Sequence, residues 1–505
     1  MTVHWVGTPD AGVVKYGGSP DRLIVTAQGQ RFQFLDTQHE KRNYTMHIAT
    51  MKGLLPNTDY FYSVQAANGA RSQTFRFRSN SDAFALQTRG PMTYAVYGDM
   101  GDFNAQSLPS LKKAANARAL DMVLHVGDFA YDMDSDNGRN GDAFMRDIQE
   151  LAATVPYMVS HGNHENTQNF NHYTQRFRNM PSNSGTIRMP EFGEVPNNWW
   201  YSWDHGLVHF VTISTEVYFF HPELVARQWR WLDADLRRVD RRRTPWLIVN
   251  GHRPLYCSCD GDCIEAATTN RMGLKGRFGR FEYGLEQLFF KRGGDLYIAG
   301  HEHDYERVYD IAPHFNKSYH LYSGRATQST VDPPATTYIV TGSAGCVEEH
   351  EPFTIPQMSR SASRLNTYGW SRMVVENASH IFWQQIQTDS GGWEKVADET
   401  WIVQHSHGPF AAHPRRQAVA VEERGSDPGA ATARLAARGS ADLRSLAQCC
   451  HRHGHGGSLV CSDKDFESDL RAMGHWQASK KQSSRPQEQA SKKQSSRPQE
   501  AMDTV

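Results

Sequence analysis

The run Met92-Thr-Tyr-Ala-Val-Tyr97 leads straight into Gly98-Asp99-Met100-Gly101, and Met122-Val-Leu-His-Val126 leads into Gly127-Asp128-Phe129-Ala130-Tyr131. Short apolar runs that stop at glycine read as buried strands of a parallel sheet. Three more follow the same rule. Residues 155–160 lead to Gly162-Asn163-His164-Glu165, residues 246–249 to Gly251-His252-Arg253-Pro254, and Leu296–Ala299 to Gly300-His301-Glu302-His303. The Gly-Asp dipeptide alone decides nothing, since it also occurs at 101, 141, 261 and 294. What decides is its place at strand ends. In open α/β sheets the ligand crevice lies beyond the carboxyl ends of the strands, where such residues converge. Glycine there lets the backbone turn sharply and approach a bound group closely.

Between these runs the pattern turns helical over 104–119, 141–154 and 222–243. The last stretch carries Leu224, Trp231, Leu232, Leu236 and Val239 on helical spacing. Arg237, Arg238, Arg241, Arg242 and Arg243 close it, which reads as a solvated terminus complementing the helix dipole. Strand–helix alternation predicts an α/β sheet domain over 92–404.

The convergent set is Asp99, Asp128, Tyr131, Asn163, His252, His301 and His303. Seven oxygen and nitrogen donors exceed what one ordinary site needs and suit two metals sharing a bridge. Tyr131 follows Asp128 by three residues, so a helix-like turn is expected to point both the same way. Carboxylates and a phenol suit a hard, highly charged cation.

Working outward to the amino terminus, residues 2–6, 13–16, 23–26, 44–49, 60–64 and 74–77 read as short strands separated by turn signals. Such spacing predicts a β-sandwich over 1–80, with 81–91 as a linker. The segment Gly53-Leu-Leu-Pro-Asn-Thr-Asp-Tyr60-Phe-Tyr62 resembles the strand-corner segment of fibronectin type III domains.

Toward the carboxyl end the composition changes. Residues 406–505 hold 15 Lys/Arg against 11 Asp/Glu and only three aromatics, Phe410, Phe466 and Trp476, so 405–505 is expected to be a disordered tail without a core. It ends in a repeat, 477–488 copied as 489–500, of low-complexity composition. His451, His453 and His455 read as part of that flexible coil.

The whole chain has 54 Lys/Arg and 55 Asp/Glu, a balance that argues against a general nucleic-acid binder. No apolar stretch approaches the length of a spanning helix. Cys257, Cys259 and Cys263 form either a small disulfide loop or a metal site. Zinc would need a fourth ligand, and Cys346 has no pairing spacing, so a 257–263 disulfide is favoured. Sequons at Asn43, Asn316 and Asn377 fit a secreted or lysosomal glycoprotein. Met1-Thr-Val-His-Trp5 already reads as a strand, so a signal peptide is expected to precede this chain.

The five strand-end motifs, in this order, resemble those of the purple acid phosphatases, a branch of the calcineurin-like metallophosphoesterases. The amino-terminal β domain and the stretch Tyr368-Gly-Trp-Ser-Arg…Asn377-Ala-Ser-His380 also resemble the long, two-domain members, with the family's closing segment at about 335–404. The resemblance implies that Asp99, Asp128, Tyr131 and His303 bind ferric iron. It implies that Asp128 bridges to a second divalent ion (Zn, Fe or Mn) held by Asn163, His252 and His301. Related phosphoesterases carry a histidine two residues after the first aspartate; Gly101 stands there, and Tyr131 supplies the replacement ligand. Plant members carry further histidines after the fourth motif, where this chain reads Arg253-Pro254-Leu255-Tyr256-Cys257, closer to the animal-type pattern.

The expected reaction is hydrolysis of small phosphate monoesters in acid by a metal-bound hydroxide. His164, next to Asn163, is the candidate for contacting phosphate or protonating the leaving group, or else for orienting a ligand from behind. A phosphodiesterase or nucleotide pyrophosphatase on the same centre is the alternative, with the 165–200 loops setting substrate size. A non-catalytic binding protein would predict lost ligands.

Overall fold

The structure, a computed structural model, describes residues 1–10, 12–80, 90–190, 192–276, 279–313, 320–321, 329–358, 360–389 and 393–410. Most of the expected linker, the sequon at Asn316, the three tail cysteines, the 451–455 histidines and the 477–500 repeat lie outside the described residues.

The amino-terminal strands form two facing antiparallel sheets. One sheet orders Thr2–Gly7, Asn43–Thr50 and Gln30–Leu35; the other orders Val25–Gln28, Val13–Gly17, Asp59–Gln65 and Phe75–Arg78. Period-two alternation turns Val14, Tyr16, Tyr62 and Phe77 inward, against Ala49 and Met51. Gln30–Leu35 was not among the strands expected. Polar Gln30, Arg31 and Gln33 mask its pattern, and its buried Phe34 lies on the face away from the sandwich core, with Tyr44 and Met46, and packs edge-on against the ring of His172, 5.0 Å away. Arg42 with Asp142 (2.6 Å), Gln38 with Asp134 (2.6 Å) and the Tyr62 hydroxyl with the Ala153 carbonyl (2.8 Å) fasten this sandwich to the rest.

The second region stacks two mixed sheets with helices outside, as the α/β reading expects. The first orders Tyr157–Ser160, Met122–Val126, Met92–Tyr97, Gly369–Val375, His380–Asp389, Trp393–Val403 and Ser329–Val331. Its first three strands are parallel, and Gly369–Val375 joins Met92–Tyr97 antiparallel. The second sheet carries Val208–Thr212, Trp246–Asn250, Leu296–Ala299 and Thr336–Thr341 in parallel. Tyr94, Val96 and Leu124 meet Phe210, Ile248 and Ile298 in the buried layer between the sheets. Their fully buried neighbours explain why these strands read as continuous apolar runs.

Three helix expectations shift. Helix Leu108–Asn116 starts later than 104, with Pro109 in its first turn, because Asn104 is engaged in a loop by the Cys346 carbonyl (2.6 Å) and Tyr368 hydroxyl (3.0 Å). The 141–154 stretch divides into Arg139–Asp147 and Gln149–Ala152. Pro222–Arg238 ends where Val239 turns extended. Beyond it Arg241 does not belong to a solvated terminus: it pairs at 2.5 Å with Asp295, whose side chain is 3% exposed. The boundary expected after 404 also differs, since His407 lies edge-on to Trp246 at 4.8 Å and Phe410 is buried beside Phe290. Among the described residues no helix is long and apolar enough to cross a membrane. Cys257 and Cys263 are joined in a disulfide, while Cys259 and Cys346 are buried thiols.

Candidate metal centre

The carboxyl ends of the parallel strands from both sheets meet at one edge, stitched by backbone hydrogen bonds. Gly98 N–H donates to the Thr341 carbonyl (2.9 Å), Asp99 N–H to Gly127 (3.1 Å), and Gly300 N–H to His252 (2.8 Å). Two glycines are required here by space. A Cβ on Gly162 would stand 2.2 Å from Asp128 Oδ1, and one on Gly300 would stand 2.3 Å from Asp99 Oδ2. Asp99, Asp128, Tyr131 and His301 themselves adopt left-handed backbone, with φ of 60°, 52°, 50° and 73°. Four strained non-glycine residues at one edge mark a place where the fold gives up stability to aim side chains.

All seven expected donors arrive, in two groups. In the first, Tyr131 Oη lies 2.7 Å from His303 Nε2 and 3.4 Å from Asp99 Oδ1, and His303 Nε2 is 3.7 Å from the same Asp99 oxygen. In the second, His252 Nε2 lies 3.1 Å from Asp128 Oδ2, 3.1 Å from Asn163 Oδ1 and 3.2 Å from His301 Nδ1. Asp128, His252 and His301 each offer a ligand atom within 4.8 Å of the others. The expected helix-like turn from Asp128 to Tyr131 is absent. Left-handed backbone at both residues sends Tyr131 to Asp99 and His303, and Asp128 to the histidines of the second group.

Outer contacts aim the rings. His252 Nδ1 meets the Val126 carbonyl at 2.9 Å, and His303 Nδ1 meets the Glu349 carbonyl at 3.0 Å and Cys346 Sγ at 3.3 Å, so each presents Nε2 to the centre. His301 presents Nδ1, while its Nε2 accepts from Arg253 Nη1 at 2.7 Å; Arg253 is itself paired with buried Glu216 at 2.9 Å.

Electrostatically the edge is loaded with buried acids. Burial pushes the Asp99 carboxyl well up, against the pull of His252 and aided by Asp128. Burial also opposes ionisation of Asp128, but the charge and hydrogen bond of His252 outweigh it and hold Asp128 below the usual carboxylate range. In return His252 is lifted to about 9 despite burial. Burial, then Asp99 and Asp128, push the Tyr131 phenol well up. A cation among these oxygens reverses each of those penalties, and carboxylate, phenol, amide and imidazole donors are the set a hard or borderline metal takes.

His164 sits beside this set. Its backbone N–H donates to Asp128 Oδ1 (3.0 Å), its ring lies 4.5 Å from that of Tyr131, and its side chain is 20% exposed. Nδ1 is 2.9 Å from Asp132 Oδ1 and Nε2 3.7 Å from Glu348 Oε1. Burial lowers its pKa, but those two carboxylates raise it to about 11. Sequence reading missed Asp132, Glu348, Arg253, Glu216, Cys346 and Glu165. Glu165 and Arg253 had a signal, their places directly after Asn163-His164 and after His252 in the strand-end motifs. Its carboxylate accepts from the backbone N–H groups of Asp128 (3.0 Å), Phe129 (2.9 Å) and Gly162 (2.8 Å).

Comparison with known proteins identifies the family. Residues 92–305 match the calcineurin-like phosphoesterase family, 335–399 the iron/zinc purple acid phosphatase-like protein C family, and 1–79 the purple acid phosphatase N-terminal domain. Human acid phosphatase type 7 is 39% identical over 417 residues, covering 81% of this chain and 89% of its own length. The zebrafish (Danio rerio) acid phosphatase type 7 is 37% identical, covering 81% and 90%. The structure of a purple acid phosphatase from yellow lupin seeds shares the fold at a TM-score of 0.62 and 22% identity, covering 82% of this chain and 74% of that one. On these grounds the chain belongs to the purple acid phosphatase family.

Proposed function

We propose that the chain hydrolyses phosphate monoesters in acid at a dinuclear Fe(III)–M(II) centre, M being Zn, Fe or Mn. The supporting observation is the separation of the seven donors into two neighbouring groups, with the Asp128 charge close enough to push up both the Asp99 carboxyl and the Tyr131 phenol. Asp99, Tyr131 and His303 would hold ferric iron; Asn163, His252 and His301 would hold the divalent ion; Asp128 would serve both. Two such cations, when bound, supply Lewis acidity toward phosphoryl oxygens and lower the pKa of a coordinated water.

The chain's own groups do the rest. His252 and His303 are held by the Val126 and Glu349 carbonyls, so their Nε2 atoms need no reorganisation. The Arg253 contact on His301 Nε2 leaves the neutral ring's proton on Nδ1, so use of Nδ1 as a ligand requires that proton to leave. His164, kept cationic by Asp132 and Glu348, can hold a phosphate oxygen and give its proton to the departing alkoxide.

The family matches at 1–79, 92–305 and 335–399 support a division into an amino-terminal domain of about 1–80 and a second domain from 92, which His407 and Phe410 extend past 404. The exposed sequons at Asn43 and Asn377 and the Cys257–Cys263 disulfide support a secreted or lysosomal setting. Metal analysis of purified protein tests the central reading. Two metals per chain, one of them iron, with hydrolysis lost on chelation and regained on reloading, is the expected result; a chain that turns over fully with a single metal would refute it.

A further inference from the structure

Next to the dinuclear donors lies a second cluster that the proposed phosphatase chemistry does not use. Cys257, Cys259, Cys263 and Glu302 are 2%, 1%, 3% and 4% exposed. Cys257 and Cys259 each offer a sulfur within 4.8 Å of both Cys263 Sγ and a Glu302 carboxylate oxygen, and Cys259 Sγ lies 3.0 Å from Glu302 Oε2. The fourth ligand that the sequence could not supply is thus Glu302, brought in from the loop after Leu296–Ala299.

We infer that, once the Cys257–Cys263 disulfide is reduced, these three sulfurs and Glu302 form a closed site for one borderline-soft divalent cation of the Zn(II) class. Tetrahedral zinc with sulfur at ~2.3 Å spaces its donors by about 3.8 Å. The bonded sulfurs need only part to that distance, while Cys259 and Glu302 are already nearly so placed. A dithiol reductant supplies the two electrons and two protons that open the disulfide and leaves as its own cyclic disulfide. The cation then takes three thiolates and a carboxylate, and the displaced protons go to solvent.

Positive poles face this negative set. Helix Gly261–Met272 begins at it, with Asp260 capping the Cys263 N–H at 2.9 Å. Arg360 donates to the Cys257 carbonyl at 2.8 Å and Arg364 to the Ser258 carbonyl at 3.2 Å. A buried demand for a cation is also present. Asp304, 1% exposed, has both carboxylate oxygens buried without a hydrogen-bond partner, and Glu351 stands within ligand distance of Cys259 and Glu302. The same residues therefore serve two states, a disulfide in oxidising surroundings and a metal clasp in reducing ones.

The test uses the full chain, oxidised and after reduction with a non-chelating phosphine, titrated with Zn(II) and separately with Co(II). Reduced wild type is expected to hold one more zinc per chain than oxidised wild type, and to show a sulfur-to-cobalt charge-transfer band. In Cys259→Ser both gains should vanish, although the tail's Cys449, Cys450, Cys461 and histidines remain. No rise on reduction overturns the inference. So does a rise that persists in Cys259→Ser, which would place the metal in the tail.

Discussion

Tyr131 Oη stands 2.7 Å from His303 Nε2, a contact made across two sheets by residues whose side chains are otherwise buried. In the proposed centre both atoms face ferric iron. A phenolate on ferric iron absorbs broadly in the visible, so iron-loaded protein should be coloured and Tyr131→Phe should bleach it. Visible spectra of the two proteins at matched iron content decide this. A colourless iron-loaded wild type would remove Tyr131 from the ligand set.

Glu165 anchors two of the loops that carry the second group, those of Asp128 and Asn163, through three backbone N–H donors. Glu165→Ala should strand those buried donors and lower stability by about 3 kcal/mol or more, since each costs roughly 1–3 kcal/mol. Glu165→Gln keeps one acceptor oxygen and should fold, but retain its metals ~10–100-fold less tightly. Equilibrium dialysis against a chelator measures the second effect. Unchanged retention would reduce Glu165 to a purely structural part.

How much of this was legible in the sequence depends on whether the signal is local. Five of the seven donors directly follow a glycine at the end of an apolar run, and Tyr131 and His303 come within four residues of one, so the strand-end motifs located the set. What aims them is not local. Cys346 and the Glu349 carbonyl reach His303 from another loop, and Glu216 reaches Arg253 across the second sheet. The pairing of Gly369–Val375 with Met92–Tyr97 likewise joins strands far apart in sequence, which no periodicity reports. Tyr131 was assigned to the face of Asp128 because spacing of three suggests a turn of helix. The left-handed φ at both residues defeats that inference.

Away from the centre, His209 is held between Asp204 (2.6 Å) and Asp235 (3.0 Å). Burial lowers its pKa, but the two carboxylates raise it to about 9. The folded value exceeds the unfolded one of roughly 6.5, so the stabilisation is complete below about pH 6.5 and is lost as pH rises through about 9. His209→Asn should therefore melt several degrees below wild type at about pH 6, with the gap narrowing by about pH 10. Thermal melts across that range read it directly. A gap independent of pH would assign the loss to packing and not to charge.

Asp128 and His164 share one hydrogen bond, yet their proposed roles predict opposite phenotypes. Asp128→Ala removes a ligand from each cation and the charge between them, so metal content, colour and turnover should fall together. His164→Ala leaves every proposed ligand in place and should keep both metals and the visible band. Its turnover should drop by ~10²–10⁴-fold, the usual contribution of a general acid. The loss should be greater for alkyl than for aryl phosphates, because an aryl leaving group needs less protonation. Asp132→Asn, which keeps the ring but weakens its cationic form, should fall between wild type and His164→Ala and shift the alkaline limb of the rate profile to lower pH. Metal stoichiometry, spectra and rates on both substrate types separate the outcomes. If His164→Ala loses a metal, the residue orients a ligand. If it slows alkyl and aryl esters equally, it holds phosphate and the proton comes from elsewhere.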